Sequence, residues 1–114
     1  MNMQTQLPII SFKNRDELRA WLLQNYSISK GILVQIFKKH SVIESVTFED
    51  VLKEGLCFGW SESKRLKGDE NSYLQQFTPR RTKGTNSSRN IRLIQELIED
   101  KSMTEAGLAV ILNK

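Results

Sequence analysis

The amino-acid sequence predicts an α+β fold in which a small sheet of about three strands packs with four helices. Two kinds of pattern support this prediction. Apolar side chains recur every three or four residues in several segments, as they do along one face of an amphipathic helix. Between those segments lie short runs rich in β-branched and aromatic residues, which are typical of strands. The clearest strand signal is a predicted hairpin over residues 58–78.

The first two predicted helices have recognisable start signals. The first spans Arg15–Asn25 and follows Asn14, a suitable N-cap residue. The second follows Thr47, with Asp50 placed as in a capping box. Gly55 lies inside this second helix, where it costs about 1 kcal/mol relative to alanine. We therefore expect either a close contact with a neighbouring element at Gly55 or a helix that frays there.

The last two predicted helices follow serine and threonine residues. One begins near Ser87 or Ser88, and the other follows Thr104. In the helix that begins near Ser87 or Ser88, isoleucines spaced at three and four residues predict the buried face, and two leucines make that apolar face wider. These apolar residues are Ile91, Leu93, Ile94, Leu97 and Ile98.

Three segments are predicted to be strands. Ile32–Phe37 is continuously apolar except for one glutamine, which suggests burial on both faces. Segments 58–67 and 73–78 flank a Gly-Asp-Glu-Asn turn, as expected for an antiparallel hairpin. Ile9–Phe12 is a further short extended piece. The direction of strand 32–37 relative to strand 58–67 stays open, although a helical crossover between them favours a parallel pair.

Length and charge limit the classes of protein. A chain of 114 residues predicts a single domain over residues 1–114, with 1–8 loosely held. The net charge of +4 permits acidic partners. The single cysteine excludes an intramolecular disulfide, and no apolar run is long enough to span a membrane, so a cytoplasmic location is expected. No pattern indicates a metal or an organic cofactor.

Catalytic signals are weak throughout the sequence. Cys57 follows a predicted helix, where the dipole disfavours a thiolate, and we expect a buried, unreactive thiol. His40 is the only histidine and Cys57 the only cysteine, and together they exclude an ordinary structural zinc site. Glu62 and Asp69 flank a basic strand, so salt bridges across the hairpin are favoured over paired acid–base catalysis.

A basic loop is the strongest candidate binding site. No acidic residue occurs between Glu70 and Glu96. Within that interval, arginine and lysine side chains lie near the start of a helix whose free N–H groups also attract anions. The basic residues are Arg80, Arg81, Lys83, Arg89 and Arg92. The alternative is a solvated basic loop whose arginines pair with Glu70, Glu96 or Glu99.

Aromatic residues alternate along the predicted hairpin. Exposed aromatic rings beside basic residues would suit single-stranded nucleic acid. The chain has only nine aromatic residues, however, and its core needs large side chains. We therefore expect these four to be buried: Phe58, Trp60, Tyr73 and Phe77.

Several motifs in order resemble the YdeI/OmpD-associated family, also called the bacteriocin-protection family. The resemblance covers about residues 12–111 and rests on LCFGW at 56–60, FTPRR at 77–81 and MTEAGLA at 103–109. Ser87 and Asn90 match further positions of the family pattern. The chain departs from that pattern at Ser61-Glu62, where the family has Ile-Asp, and at Asn86, where it has a tryptophan.

The resemblance implies a bacterial role in stress or antimicrobial-peptide resistance, without an established reaction or cofactor. We therefore expect a non-enzymatic protein that binds an anionic ligand or an acidic protein partner through the basic loop. The candidate ligand-binding residues are Trp60, Arg80, Arg81, Lys83, Ser87, Arg89 and Asn90. Two alternatives stay open. One is an enzyme acting on a phosphorylated or nucleotide-like substrate, and the other is a nucleic-acid accessory protein.

Overall fold

The predicted α+β class is confirmed, with four helices packed on a mixed sheet. A computed structural model describes residues 7–80 and 88–112. The sheet contains four strands where about three were expected, because residues 9–11 add a short edge strand. In chain order the elements are β1 (Ile9–Ser11), α1 (Arg15–Asn25), β2 (Ile32–Phe37), α2 (Phe48–Phe58), β3 (Trp60–Lys67), β4 (Ser72–Pro79), α3 (Ser88–Glu99) and α4 (Glu105–Leu112).

The strand order is β1-β2-β4-β3. β1 pairs with β2 in parallel, and β4 pairs antiparallel with both β2 and β3. β2 and β3 are therefore not neighbours, because β4 lies between them, but they run in the same direction. The connection between them, which includes α2, passes over β4. The two strands whose relative direction the sequence left open are thus parallel in direction but not paired.

The helix starts agree with the sequence signals. The Glu17 N–H donates to Asn14 Oδ1 at 3.0 Å, and the Glu17 carboxylate accepts from the Lys13 N–H. Thr47 and Asp50 form a complete capping box, with bonds of 3.1 and 3.0 Å. These bonds satisfy backbone donors that the first turn of a helix otherwise leaves without partners.

Burial of β2 alternates along the strand. Ile32, Val34 and Ile36 are buried on the face that carries the core, whereas Leu33 and Phe37 on the other face are half-buried. The expected burial on both faces is therefore complete on the core face and only partial on the other. Helix-to-sheet packing in the described part of the chain comes mainly from α2 against β3 and β4.

Helix α2 is the central element of the fold. It packs against β3, β4 and all three other helices. A Cβ atom added at Gly55 would lie 2.8 Å from the Trp60 carbonyl oxygen and 3.0 Å from the Phe77 ring. The close contact foreseen at Gly55 is confirmed, since no side chain would fit between α2 and the sheet. Gly59 then ends the helix with a left-handed φ of 77°.

The buried face of α3 differs from the prediction. Leu93, Ile94 and Leu97 are buried, but Ile91 and Ile98 are each 48% exposed. The helix is rotated so that the leucines face the core, and the two outer isoleucines lie at the surface.

Replacing Gly55 with alanine tests the packing of α2. By helix propensity alone, alanine should stabilise the fold by about 1 kcal/mol. Overpacking against Trp60 should destabilise it by more, typically about 1–3 kcal/mol. We expect a net loss in the free energy of unfolding measured with urea. Gln24→Ala on the exposed side of α1 is the control and should change stability by less than about 0.5 kcal/mol. A Gly55→Ala variant more stable than wild type would contradict this packing.

Candidate functional site

Arg80 lies directly after β4, beside the end of α2. Its backbone N–H donates to the Gly59 carbonyl at 2.9 Å, which fixes the start of the basic loop against the helix cap. A small cleft of about 10 Å³ adjoins its half-buried side chain. The cleft is lined by Gly55, Leu56, Gly59, Arg80, Gly107, Val110 and Ile111. A cavity of this volume holds about one water molecule and has no room for a nucleotide.

The charge of Arg80 has no acidic partner in the described part of the chain. Its guanidinium makes no ion pair or hydrogen bond with residues 7–80 or 90–111. The carboxyl end of α2 lies at the same cleft, and its partial negative charge favours a nearby cation. The position therefore suits a positively charged side chain while leaving guanidinium donors for a bound anion.

The structure describes only some of the other predicted site residues. Arg81, Lys83 and Ser87 lie outside the described residues, as does the side chain of Arg89. Asn90 is half-buried in the first turn of α3.

Arg92 is exposed on α3, and within the described residues it pairs with no carboxylate. The alternative prediction paired the loop arginines with Glu70, Glu96 or Glu99. No such pair occurs for Arg80 or Arg92 among the residues that the structure describes.

Trp60 belongs to the core and not to an exposed ligand surface. Its side chain is 1% exposed, and Nε1 donates to the Tyr26 carbonyl at 3.3 Å. Its ring packs against Trp21 and Phe77 at centroid distances of 5.8 and 5.0 Å. The expected burial of Phe58, Trp60 and Phe77 is confirmed, whereas Tyr73 is only partly buried. In the sheet, Trp60 pairs with Pro79 at the end of the hairpin, one residue before Arg80.

The structure contains a buried charge cluster at Glu54 that the sequence analysis did not predict. The Glu54 side chain is completely buried inside α2. Arg15 donates from Nε to Oε2 at 2.5 Å, and Arg19 donates from Nη1 to both oxygens at 3.0 and 3.2 Å. Arg19 also donates from Nη2 to the Ser102 carbonyl. One carboxylate therefore connects α2 with α1 and, through Arg19, with the segment before α4.

The chemistry of this cluster is structural. Partial burial lowers the pKa of Arg15, but the hydrogen bond and charge of Glu54 raise it above its ordinary value overall. A groove of about 320 Å³ adjoins the cluster and is lined by charges of both signs. Because arginine donors occupy both Glu54 oxygens, that carboxylate is poorly placed to accept a proton from a substrate. In the sequence, the only sign of this cluster is that Glu54 lies among the apolar residues of α2.

The remaining catalytic candidates are separated in space. Asp69 stabilises the hairpin turn by accepting from the Ser72 hydroxyl and the Asn71 N–H, and these bonds lower its pKa. Glu62 lies opposite Phe77, well along the hairpin from that turn. The salt bridges expected across the hairpin are not present among the described residues. Glu62 and Asp69 thus form neither a catalytic pair nor an ion-pair network.

The described ranges contain neither a cluster of metal ligands nor a helix suited to crossing a membrane. Residues 7–80 and 88–112 contain no group of three histidine, cysteine or acidic side chains arranged to hold a metal ion. Within the same part of the chain, no helix has both the length and the apolar character that crossing a membrane requires.

Comparison with known proteins identifies the family. The family model described as "Domain of unknown function (DUF8412)" matches residues 10–110, almost the whole chain. The chain belongs to this family. No curated protein and no solved structure matches it.

Cys57 should be unreactive in the folded DUF8412 chain. The thiol is buried, and burial, followed by the nearby Glu54 charge, raises its pKa above the ordinary value in spite of the opposing effect of Arg19. A raised pKa keeps the thiol neutral near pH 8, and a neutral thiol is a poor nucleophile. We expect a disulfide reagent to modify native protein far more slowly than protein in urea. Equal rates in the two states would contradict the burial of this side chain.

Proposed function

We propose that this DUF8412 protein is a non-enzymatic binding protein that docks an acidic protein segment on its basic surface. We define the basic surface by its described cations, which are Arg80 and, in the first half of α3, Arg92. The observation that carries the proposal is that Arg80 and Arg92 have no acidic partners among the described residues, while the cleft beside Arg80 is too small for an organic substrate. An anion that binds there without a pocket must contact an open surface, as a protein partner does.

Exposed apolar side chains on α3 favour a protein over a compact anion. Ile91 and Ile98 are each 48% exposed and lie seven residues apart, near one line along the helix. Protein interfaces commonly combine apolar contacts with arginine. A partner segment that carries carboxylates together with apolar side chains would match this surface.

The physiological role comes from the motif resemblance. Similarity to the YdeI/OmpD-associated, or bacteriocin-protection, family supports a bacterial stress or antimicrobial-peptide resistance role. A lone, buried cysteine is compatible with action in the reducing cytoplasm. In this proposal the protein needs no cofactor, since it acts by binding.

A fluorescently labelled decaglutamate peptide is a direct probe of the basic surface. Fluorescence anisotropy should detect binding to wild-type protein. Arg80→Gln should raise Kd about tenfold or more, because a hydrogen bond to a charged group contributes about 1.5–3 kcal/mol. Arg92→Gln, at an exposed position, should raise Kd by only about twofold to fivefold. Neither change should lower the free energy of unfolding by more than about 1 kcal/mol.

Lys13→Gln provides the charge-matched control, because Lys13 is exposed near the start of α1. It should leave the peptide affinity close to the wild-type value. Equal affinity of Arg80→Gln and wild type would contradict the proposed surface, as would the absence of binding to wild type. Tighter binding of single-stranded oligothymidine, with an affinity that falls steeply as salt is raised, would favour the nucleic-acid alternative instead.

A further inference from the structure

A third cavity lies near the end of β2, apart from the cleft at Arg80 and the groove at Glu54. Its volume is about 290 Å³, close to the lower end of the range of small-molecule sites, about 300–1,000 Å³. The end of β2, the start of α2 and β4 together form its walls. The lining residues are Ile36, Phe37, Lys38, Lys39, Thr47, Phe48 and Tyr73.

Apolar and aromatic side chains make up most of the cavity wall. Phe48 and Tyr73 are only partly buried and pack against the core, so their rings are accessible from the face of the sheet that carries Ile36. Phe37 borders the cavity from the last position of β2, with its side chain directed to the other face. Phe48 is the first residue of α2, and the Thr47–Asp50 capping box fixes its backbone. The wall is therefore positioned before any ligand enters, which lowers the entropic cost of binding. An apolar body, and an aromatic ring above all, suits these surroundings.

Positive charges border the cavity. Lys38 and Lys39 are exposed, and within the described part of the chain neither pairs with a carboxylate. The Arg65 guanidinium lies 4.1 Å from the centre of the Tyr73 ring, and Lys67 is opposite Tyr73 in the β3–β4 register. Four cationic side chains thus surround or adjoin an apolar wall.

The nearest acidic residues along the chain do not neutralise these cations. Glu49 pairs with Lys53 at 3.4 Å, and Asp50 is held in the capping box. Asp69 accepts bonds within the hairpin turn. Glu44 and Glu70 are exposed, and neither forms an ion pair with a described residue.

We propose that this cavity binds a small amphipathic carboxylate, with its apolar body against Ile36, Phe48 and Tyr73 and its carboxylate at Lys38 and Lys39. Burial of the ligand's apolar body supplies affinity, and charged hydrogen bonds from the lysines favour a ligand that ends in a carboxylate. The ligand class is an arylalkyl carboxylate whose size is about one ring with a short chain. This site is independent of the acidic-partner surface at Arg80, so either proposal can fail without the other.

Phenylpropionate, phenylpropanol and propionate together separate the two contributions. Titrations followed by amide chemical shifts should place phenylpropionate at residues 36–39, 47–48 and 73. Phenylpropanol has the same ring but no charge, and it should bind about tenfold more weakly or worse. Propionate has the charge without the ring and should cause no shifts at matching concentrations, because it buries little apolar surface.

A double substitution tests the role of the lysines. Lys38→Gln with Lys39→Gln should raise the Kd of phenylpropionate by about tenfold while leaving that of phenylpropanol unchanged. Lys30→Gln is the matched control at the opposite end of β2 and should behave as wild type. Equal binding of phenylpropionate and phenylpropanol would overturn the carboxylate assignment. The absence of shifts at these residues with millimolar phenylpropionate would overturn the site.

Discussion

The fully buried carboxylate of Glu54 in α2 joins that helix to α1. Removing a carboxylate from water costs several kcal/mol unless it gains charged partners and hydrogen bonds. Arg15 and Arg19 supply both from α1. Arg19 also reaches the Ser102 carbonyl and packs over the Phe58 ring, with 5.1 Å between its guanidinium carbon and the ring centre. Any displacement of α1 from α2 would leave a buried charge without partners, so this contact specifies how the helices pack.

Local signals in the sequence were sufficient for the helices and the hairpin. Asn14 and Thr47 marked two helix starts, and Gly55 marked the close approach of α2 to the sheet. Such features depend on neighbouring residues or on a single missing side chain, and a sequence pattern records them. The order of strands was not available in the same way. The insertion of β4 between β2 and β3 depends on long-range pairing, which periodicity does not encode.

The candidate sites were predicted less completely than the fold, for a related reason. A run of basic residues is visible in sequence, so Arg80 could be named as a candidate binding residue. Glu54 was missed because an acidic residue in a helix is usually exposed, and only its two arginine partners make burial favourable. The cavity at Lys38 and Lys39 was missed because its wall combines residues from β2, α2 and β4.

Two surfaces with different chemistry therefore extend from one core. Trp60 and Phe77 pack together beneath the end of the hairpin that leads to Arg80. Toward the other end of β4, Tyr73 contributes to the apolar cavity near the start of α2. Both surfaces use elements that contact α2, and both depend on the fixed position of that helix. The candidate binding groups thus lie away from the Glu54 ion pairs, at the ends of strands in the sheet that packs against α2.

Coupling between Glu54 and Arg19 is the most direct measure of this packing. In a double-mutant cycle, Glu54→Leu, Arg19→Met and the combined variant would be compared by urea unfolding. Glu54→Leu leaves both arginines without their carboxylate, whereas Arg19→Met leaves Glu54 paired with Arg15 alone. Breaking a buried pair costs about 3–5 kcal/mol, so Glu54→Leu should cost the more of the two. The combined variant should lose less than the sum of the single losses, with a coupling energy of about 0.5–3 kcal/mol. Additive losses would contradict the conclusion that this ion pair holds α1 against α2.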